Sequence, residues 1–194
     1  MPGPAAKGKA KVVQLNEAVL GLTSSLASTL LTVSLVKNQV GRLRPDFLDR
    51  CKLVNGACTG DAHDIMEGRK SFPSGHTALS FAGLGFLSLY LAARLSQVRG
   101  FGELWKLPLV LAPWFGALFV GLSRIADYWH HWEDVLVGGL IGHVLAYSMY
   151  RLRYPCPAGE HAELPTVLLQ SMRKERRSPP SAVKPADGHG QYGV

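Results

Sequence analysis

The sequence predicts an all-α protein, a polytopic bundle of about four membrane-spanning helices, and three observations lead there. The 194 residues are 47% hydrophobic and only 18% charged, with a formal net charge of +7. The apolar residues are clumped: residues 18–36, 77–93, 107–123 and 135–150 carry no Asp, Glu, Lys or Arg. In residues 77–93 and 135–150 no polar stripe recurs every three to four residues, as it must on a helix with one face in water. A soluble all-α bundle with buried helices is the competing reading, and the missing stripe argues against it. The length suits one domain. Three cysteines cannot staple a chain of this size, which excludes a disulfide-built mini-protein.

A basic segment, residues 1–14, opens the chain with Lys7, Lys9 and Lys11. The first apolar run follows and nearly meets the roughly 20 residues that a hydrocarbon core requires. The other three runs hold 16 to 17 residues and span with help from flanking Tyr, Trp, Arg and Lys. KGKAK before an apolar run also resembles a signal peptide. Cleavage would remove the helix ending at Lys37, so a retained helix is the reading adopted. In the later runs, TALSFAGLGFLSLYLAA and VLVGGLIGHVLAYSMY interrupt their apolar residues only with small hydroxyls, glycines and one histidine. Gly138 and Gly142 have GxxxG spacing, which suits close helix packing in lipid. Trp105, Trp114, Trp129 and Trp132 fall at or near helix ends, as interfacial anchors do. Residues 15–155 form the expected membrane domain. Beyond it, residues 156–194 mix prolines, charges and small residues and read as a disordered cytoplasmic tail. Its basic cluster, Arg173, Lys174, Arg176 and Arg177, reads as a solvated tail or a contact to anionic headgroups.

Orientation follows from basic flanks. Lys7, Lys9 and Lys11, then Arg94, Arg99 and Lys106, then Arg151 and Arg153 all belong on the cytoplasmic side by the positive-inside tendency. The 37–76 segment is then luminal or extracellular. It carries seven Lys/Arg beside five acidic residues, which reads as a local anion-binding site.

Three clusters carry chemistry, each at the end of an apolar run assigned to that side. They are Lys37-Asn-Gln-Val-Gly-Arg-Leu-Arg44-Pro45, Pro73-Ser74-Gly75-His76, and Ser123-Arg124 followed by His130 and Asp134. Alone, each has an ordinary reading. A Ser-Gly turn opening a helix attracts anions, but serine is also a common N-cap. His130 and Asp134 are four apart, so on a helix they share a face and can hydrogen-bond. Together, Lys37, Arg44 and Arg124 with the Ser74–Gly75 turn suit a tetrahedral oxyanion. Two histidines, one backed by a carboxylate, suit covalent phosphoryl transfer without metal: His130 as nucleophile, Asp134 as its partner, His76 as acid. Cationic neighbours repel Mg²⁺ or Zn²⁺, so neither a metal nor another cofactor is expected.

The spacings KX6RP, PSGH and SRX5HX3D, all intact here, resemble the three signature motifs of the type 2 phosphatidic acid phosphatases (PAP2), whose site is shared by vanadium haloperoxidases and glucose-6-phosphatase. RPDFLDRC, CTGD, EGRKSFPSGHT and SRIADYWHHWEDVLVG look closest to eukaryotic lipid phosphate phosphatases, plant-like or diacylglycerol-pyrophosphate-type. The resemblance covers about residues 16–155. It implies a PAP2/haloperoxidase-like helical core and a Mg²⁺-independent integral membrane enzyme. The enzyme would hydrolyse phosphatidate and related lipid phosphates through a phosphohistidine. Lys37, Arg44, Ser74, Gly75 and Arg124 would hold the phosphate, with His130, Asp134 and His76 catalytic. His131 falls off the motif and receives no catalytic role. The expected partner is a phospholipid substrate, with no nucleic acid, in the endoplasmic reticulum or plasma membrane.

Two departures accompany the match. The family has six membrane helices and this sequence resembles the last four, which reads as an N-terminally short chain. Leu43 stands where a proline is common in the GRPRP stretch. Cys51 and Cys58 fall in the luminal segment, where a disulfide or two free thiols are both open. Cys156 is read as an idle cysteine or a palmitoylation site. The alternative functions are a non-catalytic membrane protein binding phospholipid or a partner helix, and a vanadate-dependent haloperoxidase-like enzyme.

Overall fold

The computed structural model describes residues 4–96 and 103–177. Among them the chain is almost entirely helical. Helix α1 (Pro4–Val40) is followed by the short α2 (Phe47–Cys51), a two-stranded hairpin of β1 (Leu53–Val54) and β2 (Ala57–Cys58), and α3 (Ala62–Gly68). Then come α4 (Gly75–Ser96), a single 3₁₀ turn (Glu103–Trp105), α5 (Lys106–Ala126), α6 (Trp132–Arg153) and α7 (Thr166–Arg177).

Four of these helices, α1, α4, α5 and α6, are long and apolar enough to cross a membrane. Only 11–33% of each apolar stretch is buried within the protein, and Leu30, Leu31, Leu35, Phe115, Phe119 and Leu140 are all more than half exposed. In water such a surface would aggregate, whereas hydrocarbon solvates it at no cost. Several hydroxyls within these helices are satisfied locally, and Ser25 and Ser88 donate to carbonyls of neighbouring helices. Thr23, Ser24, Thr32 and Ser148 each donate to a carbonyl four residues back in their own helix. The chain is an integral membrane protein.

Helix α4 lies at the centre, packed against α1, α5 and α6, and α6 also packs against α1. Gly138 and Gly142 make the α4–α6 approach close. A Cβ at Gly142 would collide with the Ala78 carbonyl, and one at Gly138 would sit 2.5 Å from the Ser74 carbonyl. Between α1 and α4, Ser25 Oγ donates to the Ala82 carbonyl at 3.1 Å. The end of the bundle farthest from the three clusters is aromatic. Phe86, Tyr150 and Tyr154 are buried there with Ala93, Ala146 and Ala162. Tyr150 and Tyr154 stack at 5.1 Å, and Arg153 pairs with Glu17 at 2.7 Å.

The structure differs from the sequence reading at both ends. Helix α1 runs without a break through the boundary expected after residue 14, because lysine and alanine are strong helix formers and no proline follows Pro4 within it, so that Gly8 and Gly21 are carried in its interior. The tail expected to be disordered from residue 156 is instead helical over Thr166–Arg177. Tyr154, Ala162 and Pro165, buried in the structure, tie the preceding turn down. Residues 178–194 of that expected tail lie outside the described residues.

Candidate active site

Helix α1 ends at Gly41, whose φ of +62° lets the chain turn out of the helix. The segment that follows is laced to the stretch entering α4. Arg44 N–H donates to the Gly68 carbonyl at 2.8 Å, and Ser71 N–H donates to the Arg42 carbonyl at 2.9 Å. Lys37, still on the last turn of α1, reaches across with Nζ to the Lys70 carbonyl at 2.9 Å. Ser74 N–H in turn donates to the Asp134 carbonyl at 2.9 Å, joining the start of α4 to the first turn of α6. The three clusters therefore meet at one end of the bundle.

Asp134 is the hub of that end and is fully buried. A carboxylate out of water must be neutralised by charge or hydrogen bonds. Its Oδ2 accepts from the Ser71 hydroxyl at 2.5 Å and from the His131 N–H at 3.0 Å, and its Oδ1 accepts from Arg42 Nη1 at 3.0 Å. His130, 2% exposed, is nearby, but its Nδ1 stands 3.7 Å from Asp134 Oδ2, beyond a good hydrogen bond. Ser71 Oγ lies between them, 3.4 Å from His130 Nδ1.

The idea that His130 and Asp134 share a helical face is thus corrected. Helix α6 starts at Trp132, His131 is an extended N-cap, and His130 precedes the helix in the loop. The loop is folded back by Trp129 and His130 N–H bonds to the Arg124 carbonyl at 3.1 and 3.2 Å.

The cations approach from three directions. Lys37 passes close to Gly75, where a Cβ would stand 3.7 Å from Lys37 Cε. Arg44 donates through Nε to the Glu67 carbonyl at 3.0 Å, with Nη2 3.8 Å from the Glu67 carboxylate. Arg124 pairs with Asp127 at 3.0 Å and stacks its guanidinium 4.9 Å from the Trp129 ring centre. His76 is exposed on the first turn of α4, 6.4 Å from that same indole, and the charges of Arg124, Lys37 and Arg44 all reach it. Ser74 is buried and accepts a 2.9 Å bond from the Thr77 hydroxyl.

Electrostatics keep the His130 imidazole neutral. Burial, then the charges of Arg44 and Lys37, hold its pKa down at about 4, against a smaller opposing pull from Asp134. Burial, and next the charge of Arg50, lower the pKa of Arg44 from its ordinary value, with Asp46, Glu67 and Asp134 acting the other way.

The structure bonds Cys51 to Cys58 across the small hairpin. Among the described residues, one trio of possible metal-ligating side chains stands together, Asp61, His63 and Asp64. All three are exposed, and Asp61 is engaged as the N-cap of α3, accepting from His63 and Asp64 N–H.

Sequence reasoning missed two residues. Ser71 lies in the SFPSGH stretch just outside the four-residue motif, and Arg42 is the unassigned arginine of GRLRP. A serine three residues before another was the available signal, but spacing alone cannot show that it bridges to residue 134.

Residues 18–157 match the profile of the PAP2 superfamily. The chain is 44% identical over 158 residues to lipid phosphate phosphatase 1 of Arabidopsis thaliana, covering 77% of this chain and 48% of that relative. It is 42% identical to a probable diacylglycerol pyrophosphate phosphatase 1 of Schizosaccharomyces pombe, covering 75% of this chain and 56% of the relative. Against diacylglycerol pyrophosphate phosphatase 1 of Saccharomyces cerevisiae it is 38% identical, with 73% and 53% covered. The chain spans about half the length of these curated relatives. No solved structure matches it. An intact set of three motif clusters gathered at one end of four apolar helices, with relatives of this kind over most of its length, makes this chain a member of the PAP2 superfamily.

Proposed function

We propose that the chain is a lipid phosphate phosphatase that hydrolyses phosphatidate and related lipid phosphates to a neutral lipid and phosphate through a phosphohistidine on His130. One observation carries the reading: a buried, neutral imidazole is linked through Ser71 to a fully buried carboxylate, beside Lys37 and Arg44. With Nδ1 turned to Ser71, Nε2 is the nitrogen that attacks phosphorus. The P–O bond to the lipid alkoxide breaks as the P–N bond forms, and His76 gives that oxygen its proton. Water then attacks phosphorus from the side the lipid has left, His76 takes its proton, and the P–N bond breaks to release phosphate and restore neutral His130. Lys37, Arg44 and Arg124 offset charge on the equatorial oxygens, with the Ser74–Gly75 turn beneath them. Asp134, through Ser71, stabilises the charge that His130 gains. This cationic environment supplies what Mg²⁺ supplies elsewhere and disfavours a metal ion, so the reaction is Mg²⁺-independent.

A lipid substrate is supported by an apolar groove of about 410 Å³ between α5 and α6. Trp132, Val135 and Ile125 line it near the site end, and Leu136, Leu140 and Trp114 continue it downward. An acyl chain would lie there while its headgroup meets the cations. From the basic flanks, the site is on the luminal or extracellular side of the endoplasmic reticulum or plasma membrane.

The test is phosphate release from phosphatidate in membranes containing the chain. Release should persist in EDTA, fall with vanadate and vanish in His130→Ala. A requirement for Mg²⁺, or activity surviving that substitution, contradicts the assignment.

A further inference from the structure

At the end of the bundle opposite the site, α7 follows α6 after the connection of residues 154–165 and has no buried residue. Its twelve residues nonetheless carry an apolar side. By helical period Leu168, Leu169 and Met172 share one flank with Arg173 at its edge, while Gln170, Lys174 and Arg177 fall across from them. Leu168 and Leu169 are only partly covered and Met172 is 47% exposed, so the protein itself does not bury this flank. The helix carries four cations and one carboxylate. Arg176 falls beside Leu169 and Met172, where a long stem can cover apolar surface while its charge stays in the polar layer.

A second, independent feature lies where α7 meets the end of α6. A cavity of about 340 Å³ is lined by Arg151, Tyr154 and Pro155 from one side and by Thr166, Leu169, Gln170 and Arg173 from the other. Two guanidinium groups, a hydroxyl and an amide around one open cavity match the phosphate of a lipid headgroup. Arg151 Nη1 also donates to the Tyr154 carbonyl at 3.4 Å. Because α6 is a membrane-spanning helix that ends at Arg153, this cavity sits at headgroup level.

We infer that α7 is a membrane-surface helix that docks onto anionic phospholipid on the face opposite the active site, with Arg151 and Arg173 gripping a headgroup phosphate. The apolar flank enters the acyl boundary, and Arg173, Lys174, Arg176 and Arg177 meet the negative surface. Charge complementarity selects lipid over a protein partner. Four cations stand within five residues, and one of them, Arg173, lines the same cavity as Arg151 at the end of a membrane span, which keeps the basic run near that surface. The inference does not depend on the phosphatase chemistry.

The experiment uses the full chain with Cys156→Ser and Met172→Cys, labelled at residue 172 with bimane and placed in nanodiscs carrying doxyl-labelled lipid. One set is phosphatidylcholine alone. The other contains about one-third phosphatidylglycerol, whose phosphodiester has no terminal phosphate for the site to remove. In the anionic discs the dye should shift to the blue and be quenched. Both effects should be weak in phosphatidylcholine and reversed by about 0.5 M salt. Neutralising Arg173, Arg176 and Arg177 to glutamine should weaken docking by roughly five-fold per cation. Should the triple variant fold poorly, the salt titration on the unsubstituted basic helix decides the same question. Quenching equal in both discs overturns the inference, as does quenching indifferent to salt. A dye buried without doxyl quenching also overturns it, in favour of packing on protein.

Discussion

The two ends of the bundle are built on opposite physics. At the aromatic end, Phe86, Tyr150 and Tyr154 fill space between α4 and α6, and their contribution is area removed from solvent. At the site end the buried groups are largely polar: Ser71, Ser74, Thr77, His130 and Asp134 are buried and joined by directional bonds. An apolar contact is not directional, so losing one partner costs stability without misorienting a reacting group. A buried carboxylate does not, because each missing donor leaves charge unpaired in a low dielectric. The first end therefore holds the helices together, and the second holds one imidazole in one orientation. Changes at the two ends should separate stability from activity.

The largest expected separation comes from His130→Ala, which should reduce phosphate release by at least about 10³-fold while lowering the melting temperature only by what the cavity left by the buried ring costs. Asp134→Ala should lose activity on a similar scale and also destabilise by about 3 kcal/mol, since Arg42 and Ser71 lose their shared acceptor. A melting curve and a turnover assay on the same preparation check both. Tyr150→Ala is the converse. It should cost about 3 to 5 kcal/mol of stability yet leave turnover per folded molecule near the parent value. Equal damage to turnover would show that the two ends are not separable. Ser71→Ala should lower activity by roughly 10- to 100-fold with a smaller change in stability, and threonine at that position should restore part of it. A further effect is with pH. Between about pH 6.5 and 4 the unfolded chain takes up a proton that native His130 refuses, so stability from this group is full above pH 6.5 and declines as pH falls towards 4. His130 meanwhile stays unprotonated, and, if it attacks phosphorus as proposed, the acid limb of activity attributable to it should lie near 4, well below an ordinary histidine; a limb near 6.5 would contradict that burial.

Much of this contrast was legible in the sequence, for identifiable reasons. The four charge-free runs announce their helices because hydrocarbon leaves no other way to satisfy a backbone. GxxxG marks the α4–α6 contact because only glycine permits it at Gly138 and Gly142. The cations and histidines stand out because such residues at helix ends in lipid are costly without a purpose. Ser71 and Arg42 did not stand out, since a serine beside a motif and a second arginine in a basic loop look ordinary. Their importance comes from bonds spanning 63 and 92 residues, which no local spacing encodes. The same limit explains His130 and Asp134. Their separation of four suggested a helical pair, but the helix begins between them, and a third residue makes the link. Helix α7 was hidden by its composition, because prolines on either side and a dense charge cluster resemble a solvated tail.

The central claim is that His130 carries the phosphoryl group. The most direct measurement is peptide mapping by mass spectrometry after phosphatidate turnover is stopped in base, which preserves a phosphoramidate. The account predicts an added phosphoryl group on the peptide containing His130, absent in His130→Ala and formed equally in EDTA. A phosphoryl group on any other residue, or none during active turnover, would contradict it.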